Sequence, residues 1–126
     1  MLSRVFILLS LAVVSVMAQT KGTGNLFDFV PELGACGFVN NSQQLVASVS
    51  RVVFENFKGA TANPNDNPIC KHKLLVKSGK KNVTAAIVDY YVNNKTSVDV
   101  GLSPVGFNQL SKPGQGIVQN VTWSII

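Results

Sequence analysis

Short apolar runs rich in β-branched residues recur along the chain and are separated by polar turns. Runs of this length and composition are typical of β-strands. The pattern predicts strands over residues 45–49, 52–54, 74–76, 83–89 and 117–125. In the last run Ile117, Val121, Trp123 and Ile125 are predicted to face a core, with Gln119 as the one polar residue on that side.

Glycine, proline and asparagine mark the connections between these strands. Gly59–Pro68 is predicted to be a surface loop, and Ser78–Lys81 and Lys112–Gly116 are predicted to be tight turns. One helix is predicted over residues 104–110, because Ser103 is a suitable cap and Pro104 suits the first helical position. Short strands, frequent turns and one small helix favour a closed β-barrel.

The first eighteen residues have the features of a secretory signal peptide. Arg4 precedes an apolar run over residues 5–16, which is too short to span a bilayer, and Val16-Met17-Ala18 is interpreted as the cleavage site. We therefore expect cleavage before Gln19, secretion without a membrane anchor, and a single domain over residues 19–126, expected to be a monomer.

The charge pattern is basic but dispersed. Without Arg4, ten basic residues stand against six acidic ones, which gives the processed chain a charge of about +4. Scattered lysines are typical of a solvated surface, and the alternative is weak affinity for acidic polysaccharide or anionic surfaces. Nucleic acid is not an expected partner, because Arg51 is the one arginine left after processing.

Two cysteines, Cys36 and Cys70, remain in the processed chain. In an oxidising compartment they are expected to form a disulfide, whose loop of about 35 residues stabilises the fold by about 4 kcal/mol. The alternative is a reactive thiol. With the lone histidine His72 and no free cysteine, neither a metal site nor a cofactor is expected.

Four N-glycosylation sequons agree with secretion; they begin at Asn40, Asn82, Asn94 and Asn120. Asparagine-rich turns also produce sequons by chance, so we expect some but not all of these residues to carry glycan.

Several ordered motifs together resemble the rare-lipoprotein-A-like double-psi β-barrel family. They are Gly22-Thr23-Gly24, Gly34-Ala35-Cys36-Gly37, Asn67-Pro68-Ile69-Cys70, Ala86-Ile87-Val88-Asp89, Leu102-Ser103-Pro104 with Phe107 and Leu110, and Gly116-Ile117-Val118 with Trp123. The resemblance covers nearly all of residues 22–125. It is greatest to small secreted fungal members of this barwin- and expansin-like group, and it implies an all-β, six-stranded double-psi β-barrel with one short helix.

The chain departs from that family at two places. Tyr91 and Asn94 stand where the family commonly has a second pair of cysteines. Gly101 stands where the second aspartate of an Asp-Leu-Asp-Leu-Ser-Pro motif is expected, in the sequence Asp99-Val100-Gly101. This aspartate matches the acid of related endoglucanases and expansins, so its loss points away from catalysis.

Glycoside cleavage usually requires two carboxyl groups at the scissile bond, and glycine supplies none. Asp89 and Asp99 remain, and each is expected to be a turn carboxylate bonded to backbone N–H groups. The alternative is that they converge in a cleft as a compensating catalytic pair. Aromatic rings suit sugars, so the predicted ligand-binding residues are Phe27, Asp89, Tyr90, Tyr91 and Asp99.

The leading hypothesis is a secreted, noncatalytic barrel that binds extracellular material, with cell-wall polysaccharide as the first candidate ligand. A second hypothesis is a protein-binding module, such as a protease inhibitor or a host-directed factor, that uses loops 59–68 and 90–97. A third is an enzyme, either glycan-cleaving or riboflavin-aldehyde-forming, the latter a label that some fungal relatives carry.

Overall fold

A computed structural model describes residues 19–126, so the predicted signal peptide lies outside the described residues. The six strands are β1 (Lys21–Asp28), β2 (Val46–Ser50), β3 (Lys73–Ser78), β4 (Lys81–Tyr91), β5 (Val100–Leu102) and β6 (Ile117–Ile125). The helices are α1 (Arg51–Glu55) and α2 (Pro104–Leu110), and two short 3-10 turns cover Pro64–Asp66 and Pro68–Lys71.

The strands form a closed barrel in the order β1-β5-β2-β4-β3-β6. β1 pairs with β5 and β2 pairs with β4 in parallel, whereas the other four neighbouring pairs are antiparallel. Closure leaves no unpaired edge among these six strands. The predicted six-stranded barrel is therefore confirmed, and α2 is its main helix.

The core fills the barrel with side chains from every strand. Leu26, Val49, Leu74, Ile87 and Val121 are completely buried. The predicted disulfide is confirmed, with Cα atoms 5.7 Å apart in Cys36 and Cys70. It joins the segment between β1 and β2 to the 3-10 turn that precedes β3.

The start of α2 agrees with the sequence except at the cap. Pro104 is the first helical residue, but the Ser103 side chain makes no capping hydrogen bond. Its hydroxyl instead donates to the Gln44 carbonyl at 2.5 Å and accepts from the Val46 N–H at 3.2 Å. Ser103 therefore connects α2 to the beginning of β2.

Two of the local predictions are wrong. Residues 52–54, predicted as a strand, lie in α1, because the Ser50 hydroxyl accepts a hydrogen bond from the Val53 N–H at 3.1 Å and caps a helix there. Tyr90 and Tyr91, predicted in a loop, are the last two residues of β4.

The beginning of β6 also differs from its predicted alternation. Ile117 is 52% exposed, whereas Val118 is buried. Asn120 adopts a positive φ of 56°, and the pairing with β1 shifts between Gly24 and Leu26. This irregularity reverses the inward face before Asn120, while Val121 and Trp123 point inward as predicted.

Candidate functional site

Phe27, Tyr91, Asp99 and Gly101 come together where β1, β4 and β5 approach one another; we call this surface the Phe27 face. Phe27 lies opposite Gly101 in the parallel pairing of β1 and β5. The rings of Phe27 and Tyr91 meet edge to face, with centroids 4.9 Å apart and an interplanar angle of 87°. Both residues are half-buried, so part of each ring reaches solvent.

The Phe27 ring occupies the space above Gly101. A Cβ atom built on Gly101 would lie 2.6 Å from Cε2 of Phe27, which is closer than side chains approach one another. Position 101 is therefore covered by an aromatic ring. A larger residue at position 101 would require Phe27 to move.

Asp99 supports this face through its backbone and its carboxylate. Asp99 Oδ1 accepts a hydrogen bond of 2.9 Å from the Asn25 N–H, at the irregular point of β1. The Tyr91 hydroxyl donates to the Asp99 carbonyl oxygen. Burial raises the pKa of the Tyr91 hydroxyl well above its ordinary value, and the charge of Asp99 raises it further.

A bulge in β4 determines which of the two neighbouring tyrosines belongs to the Phe27 face. The register with β2 passes from Ala47–Ile87 to Ser48–Asp89, so Val88 is an additional residue on β4. An additional residue reverses the faces of the residues that follow it. Tyr90 accordingly packs against Phe54, with ring centroids 5.1 Å apart, and is turned away from the Phe27 face.

Asp89 holds a neighbouring segment in place. Its Oδ1 accepts hydrogen bonds from the Ala35 N–H at 3.0 Å and from the Tyr90 N–H at 2.8 Å. This is the backbone-binding role that the sequence favours for the carboxylate. The structure thus joins three of the predicted ligand residues, Phe27, Tyr91 and Asp99, whereas Asp89 contacts the 34–35 backbone and Tyr90 contacts α1.

One oxygen of each carboxylate remains open. Neither Asp89 Oδ2 nor Asp99 Oδ2 accepts a hydrogen bond from residues 19–126. Since the one buried side-chain polar atom without a partner in this range is Asn40 Oδ1, both Oδ2 atoms reach solvent. Within the described chain, no three His, Cys, Asp or Glu residues are grouped so that they could hold a metal ion.

A second surface, which the sequence pattern did not predict, is an apolar hairpin over residues 30–39. Leu33 pairs with Val39, and the Gly34 N–H donates to the Phe38 carbonyl at 3.1 Å. Its exposed apolar side chains are Val30, Leu33, Phe38 and Val39, of which Val39 is 78% exposed. In the sequence, residues 30–39 contain apolar residues without the regular alternation of a strand, and this pattern is the available signal for an exposed apolar surface.

The disulfide and a backbone contact fix this apolar hairpin to the barrel. Cys36 bonds covalently to Cys70, and its N–H donates to the Val88 carbonyl at 3.0 Å. Gly34 allows close approach, since a Cβ there would lie 2.4 Å from the Val88 oxygen. The hairpin therefore presents its apolar side chains on a fixed backbone.

The sequons differ in their surroundings. Asn82, Asn94 and Asn120 are exposed, whereas Asn40 is half-buried. The Asn40 Nδ2 atom donates to Gln44 Oε1 at 3.2 Å, and Asn40 Oδ1 is buried.

None of the helices within residues 19–126 combines the length and apolar character needed to cross a membrane.

No family model matches the chain, and neither does any curated relative. Among solved structures, the chain is similar to the Streptomyces papain inhibitor, with 21% identity and a TM-score of 0.73 over 86% of this chain and 96% of the inhibitor. It is also similar to expansin from Clavibacter michiganensis, both in the apo form, with a TM-score of 0.62, and as a variant in complex with cellohexaose, with a TM-score of 0.61.

Both expansin structures are 18% identical to the chain; each match covers 84% of this chain and only 50% of the expansin. At such identities the likeness concerns the fold. The order of the six strands, the closed barrel and these structural neighbours together assign the chain to the double-psi β-barrel fold of barwin- and expansin-like proteins.

Proposed function

We propose that this protein is a secreted, noncatalytic binding barrel that holds cell-wall polysaccharide on the Phe27 face. The observation that carries the proposal is the Phe27 ring above Gly101, with a ring atom 2.6 Å from the place of a Cβ. An aromatic surface replaces an acid at this position. Such a surface favours contact with a sugar and supplies no proton to a glycosidic oxygen.

The chemistry of the Phe27 face suits a sugar. The partly exposed rings of Phe27 and Tyr91 offer apolar surface for the C–H groups of a pyranose. Asp99 Oδ2 is open as an acceptor for sugar hydroxyls, because Asn25 uses only Oδ1. The fold of an expansin solved with cellohexaose is compatible with such a ligand.

The two remaining carboxylates are poorly suited to cleavage. A glycosidase needs an acid and a base or nucleophile on opposite sides of the bond. Asp99 is bonded to the β1 backbone and Asp89 to the 34–35 backbone, so the two serve different segments. We infer that the protein retains its polysaccharide without cutting it.

Retention on insoluble cellulose, β-glucan and chitin tests the proposal. Wild-type protein should be retained on at least one of them, and F27A should lose most of that retention. F38A is the matched control, because it removes an exposed phenylalanine from the apolar hairpin. Absence of retention on all three polymers contradicts the polysaccharide ligand, and reducing-end release that disappears in D89A or D99A contradicts the noncatalytic assignment.

The apolar hairpin supports a second candidate function, the binding of a protein such as a secreted protease. Phe38 and Val39 are 53% and 78% exposed on a segment that the Cys36–Cys70 disulfide anchors. Exposed apolar side chains grouped on one rigid segment are typical of protein-binding surfaces. The structural likeness to a papain inhibitor is compatible with this function.

An inhibition assay against papain-like proteases separates the two candidates. If the hairpin binds a protease, F38A and V39S should weaken inhibition at least tenfold, whereas F27A should inhibit like the wild type. If the wild-type protein inhibits none of the proteases in a panel, protease binding is excluded for the enzymes tested.

A further inference from the structure

A groove on the outside of the barrel lies apart from both surfaces described above; we call it the lysine groove. It has a volume of about 500 Å³ and crosses the outer faces of β1, β6 and β3. It is lined by Lys21, Gly22, Thr23, Leu75, Lys77, Thr122, Trp123 and Ser124, of which Trp123 is a buried core residue. We propose that the lysine groove binds an acidic polysaccharide whose sugars carry carboxylates.

The strand register arranges the lining in two rows. The first row contains Lys21, Ser124 and Leu75, and the second contains Thr23, Thr122 and Lys77. Lys21 lies on β1 at one end of the first row, and Lys77 lies on β3 at the opposite end of the second row. Hydroxyl side chains lie between the two lysines. From the usual spacing of strands and residues, the two lysine Cα atoms are about 12 Å apart.

The groove is lined by two lysines and by no acidic residue. The six acidic residues of the chain are Asp28, Glu32, Glu55, Asp66, Asp89 and Asp99, and none belongs to β3, β6 or residues 21–27. Arg51 and Glu55 form the one ion pair found among residues 19–126. The ammonium groups of Lys21 and Lys77 are therefore available to a ligand.

The shape and the side-chain types select the class of ligand. Three hydroxyl side chains, Thr23, Thr122 and Ser124, can donate to and accept from sugar hydroxyls, while Leu75 offers a small apolar surface. A flat membrane surface does not enter a groove, and this one has neither arginine nor an exposed aromatic ring for nucleic acid. A polysaccharide with regularly spaced carboxylates satisfies both the lysines and the hydroxyls.

The lysine groove is independent of the Phe27 face. Thr23 and Phe27 lie four residues apart on β1, which corresponds to about 13 Å along a strand. Asn82 pairs with Lys77 across β3 and β4, so a glycan on Asn82 would stand at the border of the groove. The binding experiment is therefore best performed with protein that lacks N-glycans.

Affinity electrophoresis in gels with polygalacturonate tests the proposal. The comparison is fully methyl-esterified polygalacturonate, which has the same backbone without charge. We expect retardation by the acidic polymer alone, and at least a tenfold weaker affinity for K21Q/K77Q. Raising NaCl from about 20 to about 500 mM should also weaken binding, because salt screens exposed charges.

The control variant K58Q/K112Q removes the same charge from surface positions outside the groove and should bind like the wild type. Equal loss in both double variants, or equal retardation by the esterified polymer, overturns the proposal. Equally tight binding of phosphatidylserine vesicles or of RNA, with the same dependence on Lys21 and Lys77, also overturns it. Retention of K21Q/K77Q on neutral polysaccharide reports on the Phe27 face separately.

Discussion

The ring of Phe27 lies against the α-carbon of Gly101, with Cε2 2.6 Å from the place that a Cβ would take. The two residues are direct neighbours in the parallel pairing of β1 and β5, although 74 positions separate them in the sequence. The residue at position 101 is thus coupled to the residue at position 27. The absence of a side chain at Gly101 leaves room for the Phe27 ring, and the ring in turn leaves no room for a larger residue at position 101.

This coupling predicts that G101A destabilises the barrel. The new methyl group must displace the Phe27 ring from a packed position, and overpacking of this kind usually lowers the free energy of unfolding by about 1–3 kcal/mol. F27A should relieve the conflict, so the double variant F27A/G101A should be more stable than the sum of its two single changes. Urea denaturation of the four proteins measures this coupling.

Gly116 provides the control for this experiment. A Cβ there would meet no atom within 4 Å, and its φ is not positive, so G116A should leave stability nearly unchanged. If G101A is as stable as G116A, the ring does not restrict position 101. This result would contradict the proposal that the Phe27 ring takes the place of an acid at position 101.

The disulfide predicts a large loss of stability in C36A/C70A. The bond closes a loop between positions that are 34 apart, and the entropy of such a loop corresponds to about 4 kcal/mol in the unfolded chain. The free energy of unfolding should fall by about that amount. The reducing agent dithiothreitol should lower the stability of the wild type but leave C36A/C70A unchanged; an equal response of both proteins would contradict the assignment.

The sequence predicted those parts of the fold that depend on local chemistry. Pro104 is the first residue of α2 as predicted, although Ser103 does not cap the helix, and the glycine turn after Ser78 marks the end of β3. The helix over residues 51–55 was missed because β-branched residues favour a strand. In the structure, the hydrogen bond from the Val53 N–H to the Ser50 hydroxyl outweighs this preference and stabilises a helix.

The candidate site was harder to predict because its contacts join distant segments. Phe27, Tyr91 and Asp99 were identified by type, but the bulge at Val88, which turns Tyr90 away, has no local signature in the sequence. Burial of Ile117 was predicted wrongly for a similar reason, since the positive φ of Asn120 interrupts a regular alternation.

Asn40 is predicted to remain without glycan, while Asn82, Asn94 and Asn120 are open to modification. A glycan attaches to Nδ2, which in Asn40 already donates to Gln44 Oε1, and the other amide atom is buried. Glycopeptide mass spectrometry of protein from a secretory host measures the occupancy of each sequon. Substantial glycan on Asn40 in correctly folded protein would show that the fold accommodates a sugar there despite these contacts.

Tyr91 predicts a loss of stability at alkaline pH. Because burial raises its pKa in the folded protein, the hydroxyl keeps its proton at pH values where the unfolded chain releases it. The stabilisation is complete below the ordinary pKa of 10.0 and decreases as the pH rises above it. Urea midpoints at about pH 8 and about pH 11 should therefore differ more for the wild type than for Y91F.

Y91F should be slightly less stable at neutral pH, since it loses the hydrogen bond to the Asp99 carbonyl, which is worth about 0.5–1.5 kcal/mol. The same decrease between the two pH values in both proteins would mean that the Tyr91 hydroxyl titrates alike in the folded and unfolded states, and that it is not enclosed beside Phe27.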